Sequence, residues 1–161
     1  MGRLTISHDM SAAAYEFKIQ RLIRQASRLW LSQKEHLSSK QNAAGSSPAG
    51  RVIAFSRAMF DHAYGYRNVY FALLNTGAWP IVRQQLQEVL EELIRRECKA
   101  EIVKLKTANS EVPVDLFVHY LTSAFFAVLI WWMDRRSRLT PSQIDEVFRS
   151  LVLPTVHAVL R

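Results

Sequence analysis

Cysteine is almost missing from this chain: Cys98 stands alone. It has no partner for an internal disulfide, which suits a reducing cytoplasm. Glycine and proline are also scarce, at five each in 161 residues. A hairpin-rich all-β fold needs such turn residues every ten or so positions, so that class is excluded. The N-terminus has no positively charged segment leading into an apolar run, and no secretory signal is expected. Metal and catalytic signatures are lacking too. The histidines at 8, 36, 62, 119 and 157 show neither HExxH nor Cys/His spacing, and no glycine-rich phosphate loop occurs. Asp61 and His62 lie near Tyr64, but no nucleophile or oxyanion motif accompanies them. Asp115 and His119 share a helix face at i,i+4, and a hydrogen-bonded pair is the expected reading. Neither an enzyme nor a bound metal or cofactor is expected.

What is present is apolar and basic. Apolar residues make up 49% and charged residues 22%, the proportions of a globular domain with a core. The net charge of +7 is uneven. Residues 1–50 carry seven Lys/Arg against three Asp/Glu, residues 51–110 nine against six, and residues 111–161 five against five. The neutral last third holds the one long apolar run, Leu116 to Met133. Eighteen residues in a helix reach roughly 27 Å, the short limit for a bilayer core. Trp131 and Trp132 beside Arg135 and Arg136 would suit a membrane interface. Against a span, His119, Thr122 and Ser123 interrupt the run, and every other helical stretch is amphipathic. A helix apolar nearly all round must be covered on both sides. Its own core and a second subunit can do that, so a homodimer and no membrane contact are expected.

The period of apolar residues is helical throughout, and the chain is predicted to be all-α. Ser11 to Leu37 forms one amphipathic helix, with Lys18, Arg21, Arg24 and Arg28 opposite its apolar stripe. These four are candidate phosphate contacts, in which case binding should tolerate sequence and fall steeply with salt. Residues 38–50, SSKQNAAGSSPAG, read as linker. A second helix carries Val52, Phe55, Met59 and Ala63 up to Gly65, and a third spans 66–76 before Gly77. Pro80 suits the first turn of a long helix whose stripe runs from Val82 to Val103. Glu91–Arg95 and Glu92–Arg96 are its expected i,i+4 pairs. Pro113 opens the apolar helix. Thr140-Pro141-Ser142-Gln143 is a capping-box start for the last one. Pro154 is expected to kink or break it.

Two segments are informative together: MFDHAYGYRNVYFALLNTGAWPIVRQQLQEVLEELI at 59–94 and VPVDLFVHYLTSAFFAVLIWWMDRRSRLTPSQIDEVFRSLVLP at 112–154. Their order and spacing resemble the C-terminal regulatory domain of tetracycline-repressor-like (TetR family) transcription regulators. The matching features are the GYRNVYFALL stretch, the long helix after it, the proline-led apolar helix ending in Trp-Trp, and the Thr-Pro-Ser-Gln start. The resemblance covers about 51–160. It implies a helical bundle whose last two helices, 113–133 and 141–160, pair with their copies in a four-helix dimer interface. The residues assigned to that interface are Phe125, Leu129, Trp132, Ile144, Phe148, Leu151 and Val152. It also implies a small-molecule effector in the earlier helices. Candidate lining residues are Phe55, Met59, His62, Tyr66, Tyr70, Phe71, Trp79, His119, Thr122 and Phe126. Members of that family begin with a helix-turn-helix DNA reader. Residues 1–50 show one uninterrupted helix and a linker instead. The expected division is therefore 1–50, basic helix plus linker, and 51–161, effector-binding and dimerisation domain. The expected function is a TetR-like regulator in the cytoplasm whose effector shifts the dimer and so DNA binding, where a reader is present. The alternatives are a stand-alone small-molecule-binding helical protein and nucleic-acid binding through the N-terminal helix.

Overall fold

In the computed structural model, residues 47–74, 77, 79–107, 111–135 and 137–160 are described, together with the helical positions Ala14, Phe17, Arg21 and Arg28. Lys18 and Arg24, most of the N-terminal helix, and linker residues 38–46 lie outside the described residues.

Every regular element among the described residues is an α-helix: α1 Pro48–Val52, α2 Phe55–Gly65, α3 Arg67–Leu74, α4 Trp79–Glu97, α5 Lys99–Thr107, α6 Val114–Asp134 and α7 Pro141–Val159. The packed body begins inside the stretch read as linker. Ser47 Oγ accepts the Gly50 N–H at 3.1 Å, Pro48 takes the first helical position, and Ala49 is buried in the main core. The second predicted helix is thus two, separated by a turn at Ile53–Ala54 whose Ile53 side chain is fully buried. The long helix also divides, at Cys98. The helical hydrogen bonds continue through the turn, from Cys98 N–H to Ile94 C=O and from Ile102 N–H to Cys98 C=O, both at 2.9 Å. The Cys98 thiol is buried and donates weakly to the Val52 carbonyl at 3.7 Å.

The capping box of α7 forms as its sequence requires. Thr140 Oγ1 accepts the Gln143 N–H at 3.3 Å, and Gln143 Oε1 accepts the Thr140 N–H at 2.9 Å. Pro154 neither breaks nor ends α7, which runs on to Val159. Its ring is on the exposed side of the helix, where water can serve the carbonyl that loses its N–H partner.

The core lies where α2 packs on α7, α4 and α3 on α6, and α6 on α7. Its centre is aromatic. Phe125 meets Phe60 at 4.8 Å, Phe55 and Phe126 at 5.7 Å and Phe148 at 5.8 Å between ring centres. Trp132 stands edge-on to Phe60 and donates its indole N–H to the Leu139 carbonyl at 3.0 Å, pinning the loop before α7. Each such buried side chain contributes about 1.5–3 kcal/mol. The paired tryptophans therefore part: Trp132 enters the core, and Trp131 stays half-exposed. The α6 helix is long and apolar enough to cross a bilayer, yet half of its apolar window is buried within the protein.

This burial corrects the face assigned to the dimer contact. Phe125, Leu129, Trp132, Ile144, Phe148 and Val152 are all inside the protomer's own core, and only Leu151 points outward. A helix apolar all round gives no phase to its pattern, so spacing alone does not reveal which stripe is inside.

Candidate functional site

Two kinds of buried polar group occur in this fold, and they differ in whether their hydrogen bonds are made. In the packed body they are. Ser56 is fully buried, with its hydroxyl against the Asp145 carboxylate and the Ile53 carbonyl. Arg149 Nε donates to the other Asp145 oxygen at 2.7 Å, completing a link from α2 to α7. Buried Glu101 on α5 accepts from Arg51 Nε on α1 at 2.7 Å. Thr122 donates to the Val118 carbonyl at 2.9 Å, which satisfies it within its own helix.

Among the described residues, two buried side-chain atoms have no hydrogen-bond partner: His62 Nδ1 on α2 and Gln85 Oε1 on α4. An unmade buried hydrogen bond costs about 1–3 kcal/mol, so each such atom needs a reason. Burial lowers the His62 pKa below its ordinary 6.5 and keeps the ring neutral. The ring lies 4.6 Å from that of Tyr66. Met59, His62 and Tyr66 follow one another at three and four along one face, and partly buried Met59, Tyr70 and Phe71 pack against the main core. Burial pushes the Tyr70 phenol up to about 12, so it too is un-ionised. On α4, Val82 heads a small separate core with Trp79, Leu86 and Val89, and Gln85 interrupts that stripe.

The ten predicted lining residues therefore separate. Met59, Tyr70 and Phe71 pack against the main core, His62 meets the Tyr66 ring, and Trp79 joins the Val82 cluster. Phe55 and Phe126 belong to the aromatic core, and Thr122 is buried and satisfied. His119 is outside. It contacts Gln87 at 3.1 Å and Glu91 at 3.0 Å, in an open groove of about 390 Å³ that also includes Arg83 and Glu88. The expected Asp115–His119 pair is replaced by two cross-helix contacts, because Asp115 pairs with Arg95 at 2.7 Å. Arg95 and Glu91 thus reach to α6 rather than to each other. A second open groove, about 520 Å³, lies on α7 around Pro154 and His157.

Sequence reasoning missed Gln85, although an amide between Val82, Leu86 and Val89 was a readable signal: a polar residue inside an apolar stripe. It also missed Ser56 and Asp145, whose partners are 89 positions apart. No group of three or more His, Cys, Asp or Glu residues is placed to hold a metal ion among the described residues.

A family model described as the TetR-type transcriptional regulator C-terminal region matches residues 52–153. No curated protein and no solved structure matches the chain.

Proposed function

Since the chain belongs to the TetR-type transcriptional regulator C-terminal family, we propose that it is the effector-sensing and dimerising part of a cytoplasmic transcriptional regulator. The observation that carries this reading is an apolar stripe left uncovered on each of two helices whose other apolar side is buried. Along α6, Leu116, Tyr120, Ala127 and Trp131 are exposed at intervals of four, seven and four. Along α7, Val147, Leu151, Pro154 and Ala158 are exposed at four, three and four. Tyr120 Oη donates to Thr155 Oγ1 at 3.4 Å on this side, so the two stripes adjoin. Leu151 is 62% exposed and Leu116 58%, a costly presentation unless something covers them. A second copy of the same pair of helices would cover both stripes by two-fold symmetry.

The effector site belongs to the family-matched residues 52–153. A small molecule seated there can bias one arrangement of the dimer over another. DNA contact falls to the residues before 52. Arg21 and Arg28 are helical and exposed, and their spacing of seven sets them on one face. Native mass spectrometry of the protein as purified tests the reading. A dimer carrying extra small-molecule mass is the expected result. A bare monomer at micromolar concentration contradicts it.

A further inference from the structure

We propose that the end of the bundle where α6 turns into α7 is a docking surface for an acidic segment of another protein, held by Arg67, Arg135 and Arg138. Elsewhere arginines are paired with carboxylates: Arg51 with Glu101, Arg57 with Asp61, Arg95 with Asp115 and Arg149 with Asp145. Arg67, Arg135 and Arg138 are exposed and have no carboxylate partner among the described residues. One aromatic stack gathers them. Tyr64 lies against Trp132 at 6.0 Å between ring centres, and the Arg67 guanidinium stands over the Tyr64 ring at 4.5 Å. Trp132 in turn bonds the Leu139 carbonyl, next to Arg138, and Arg135 caps α6 one turn beyond Trp132. Asp134 is the exposed carboxylate of this turn, and it pairs with none of the three.

The partner's chemistry follows from what these groups are and where they lie. A guanidinium recognises an oxyanion through a planar fork of N–H donors. Arg67 is ordered for this in advance, because its Nη1 donates to the Tyr64 carbonyl at 3.0 Å and the ring supports its face. Nucleic acid is the poorer occupant, given the reading above that assigns DNA to the residues before 52. Arg95 reaches Asp115 in the first turn of α6, and Cys98, a turn further on, meets Val52 of α1. The N-terminal residues therefore join the fold beside the N-terminal end of α6. The arginines stand at its C-terminal end, roughly 30 Å away at ~1.5 Å per residue. A membrane fits no better. Tyr64 is engaged by Trp132 and Arg67, and Trp131 belongs to the pairing stripe, so no free aromatic ring accompanies the arginines for insertion. Carboxylates on a polypeptide match both the charge and the position.

Fluorescence anisotropy of a labelled decaglutamate peptide tests the proposal on the full-length protein at ~50 mM salt, where charge contacts are strong. Arg67→Gln/Arg135→Gln/Arg138→Gln should bind the peptide about tenfold more weakly, the combined effect of three exposed ion pairs. Arg21→Gln/Arg28→Gln/Arg83→Gln removes the same charge from exposed positions elsewhere and should stay near the native affinity. Both variants should keep the native circular dichroism, since all six side chains are exposed. Equal losses in the two variants would reduce the effect to net charge and overturn the surface. No peptide binding by the native protein would do the same. A short DNA duplex or phosphatidylserine vesicles held more tightly than the peptide, and released by the first variant alone, would overturn the choice of partner. Sedimentation velocity of the first variant should match that of the native protein. A change in its oligomeric state would give this surface to a second copy of the chain and contradict the proposal.

Discussion

The buried polar groups that join α2 to α7 and the buried atoms of His62 on α2 and Gln85 on α4 sit on the same kinds of helix, yet the first have their hydrogen bonds made and the second do not. In the body, Ser56, Asp145 and Arg149 satisfy one another, Trp132 finds the Leu139 carbonyl and Thr122 finds its own backbone. On α2 and α4, by contrast, the buried atoms His62 Nδ1 and Gln85 Oε1 have no partner, and Gln85 interrupts the small stripe around Val82. A region that completes its hydrogen bonds internally has nothing left to offer a ligand. A region that leaves them open loses stability and retains the capacity to bind.

Substitutions in the two regions should therefore differ in size and even in sign. The largest loss is expected from Phe148→Ala. This ring is fully buried and meets Phe55, Phe60 and Phe125. Equilibrium urea unfolding should show about 3–5 kcal/mol less stability. Asp145→Ala comes next, at about 1–3 kcal/mol by the same method, since it removes the buried acceptor that joins Ser56 to Arg149 and leaves the Ser56 hydroxyl only the Ile53 carbonyl. On α4, Gln85→Leu should be neutral or stabilising by up to about 1 kcal/mol, because it removes an unpartnered buried oxygen. A loss as large as that of Asp145→Ala would erase the contrast between the regions.

The smallest effect is in pH. Well above pH 6.5 the His62 ring is neutral both folded and unfolded and contributes nothing to the pH dependence. As pH falls below 6.5, the unfolded chain takes up a proton that the buried ring resists, so folding stability declines. Comparing melts at pH 7.5 and 5.5, the native protein should lose more than His62→Phe does. Equal losses would place His62 in water.

Much of this arrangement was legible in the sequence, and the parts that were not have physical reasons. Helix starts with chemical signatures were readable: Thr140-Pro141-Ser142-Gln143 caps α7 through side-chain atoms named by the residues themselves. Breaks without such chemistry were not. The turn at Cys98 keeps its helical hydrogen bonds, so no residue type marks it. Pro154 is normally a helix breaker, and its tolerance depends on facing outward, a tertiary fact. The orientation of α6 was the main loss. Its apolar residues surround the helix, so Trp131 and Trp132 looked equivalent although one is exposed and the other buried. That ambiguity put Phe125 and Phe148 at a subunit contact when they form the protomer's own centre. It also drew His119 into the candidate pocket, although it is about 60° round the helix from Thr122 and meets solvent instead.

The same correction makes the dimer claim sharper. Charged substitutions at Phe126 or Leu129 would damage the fold before they tested association, because both side chains are inside it. Leu151 and Leu116 are outside and can be altered with the core intact. Sedimentation velocity of the native protein and of Leu116→Glu/Leu151→Glu is the most direct test, with circular dichroism to verify that the variant is folded. The native protein should sediment as twice its 18.5 kDa chain mass, and the folded double variant as a monomer. A native monomer, or a folded double variant that remains dimeric, would contradict the assignment of this face.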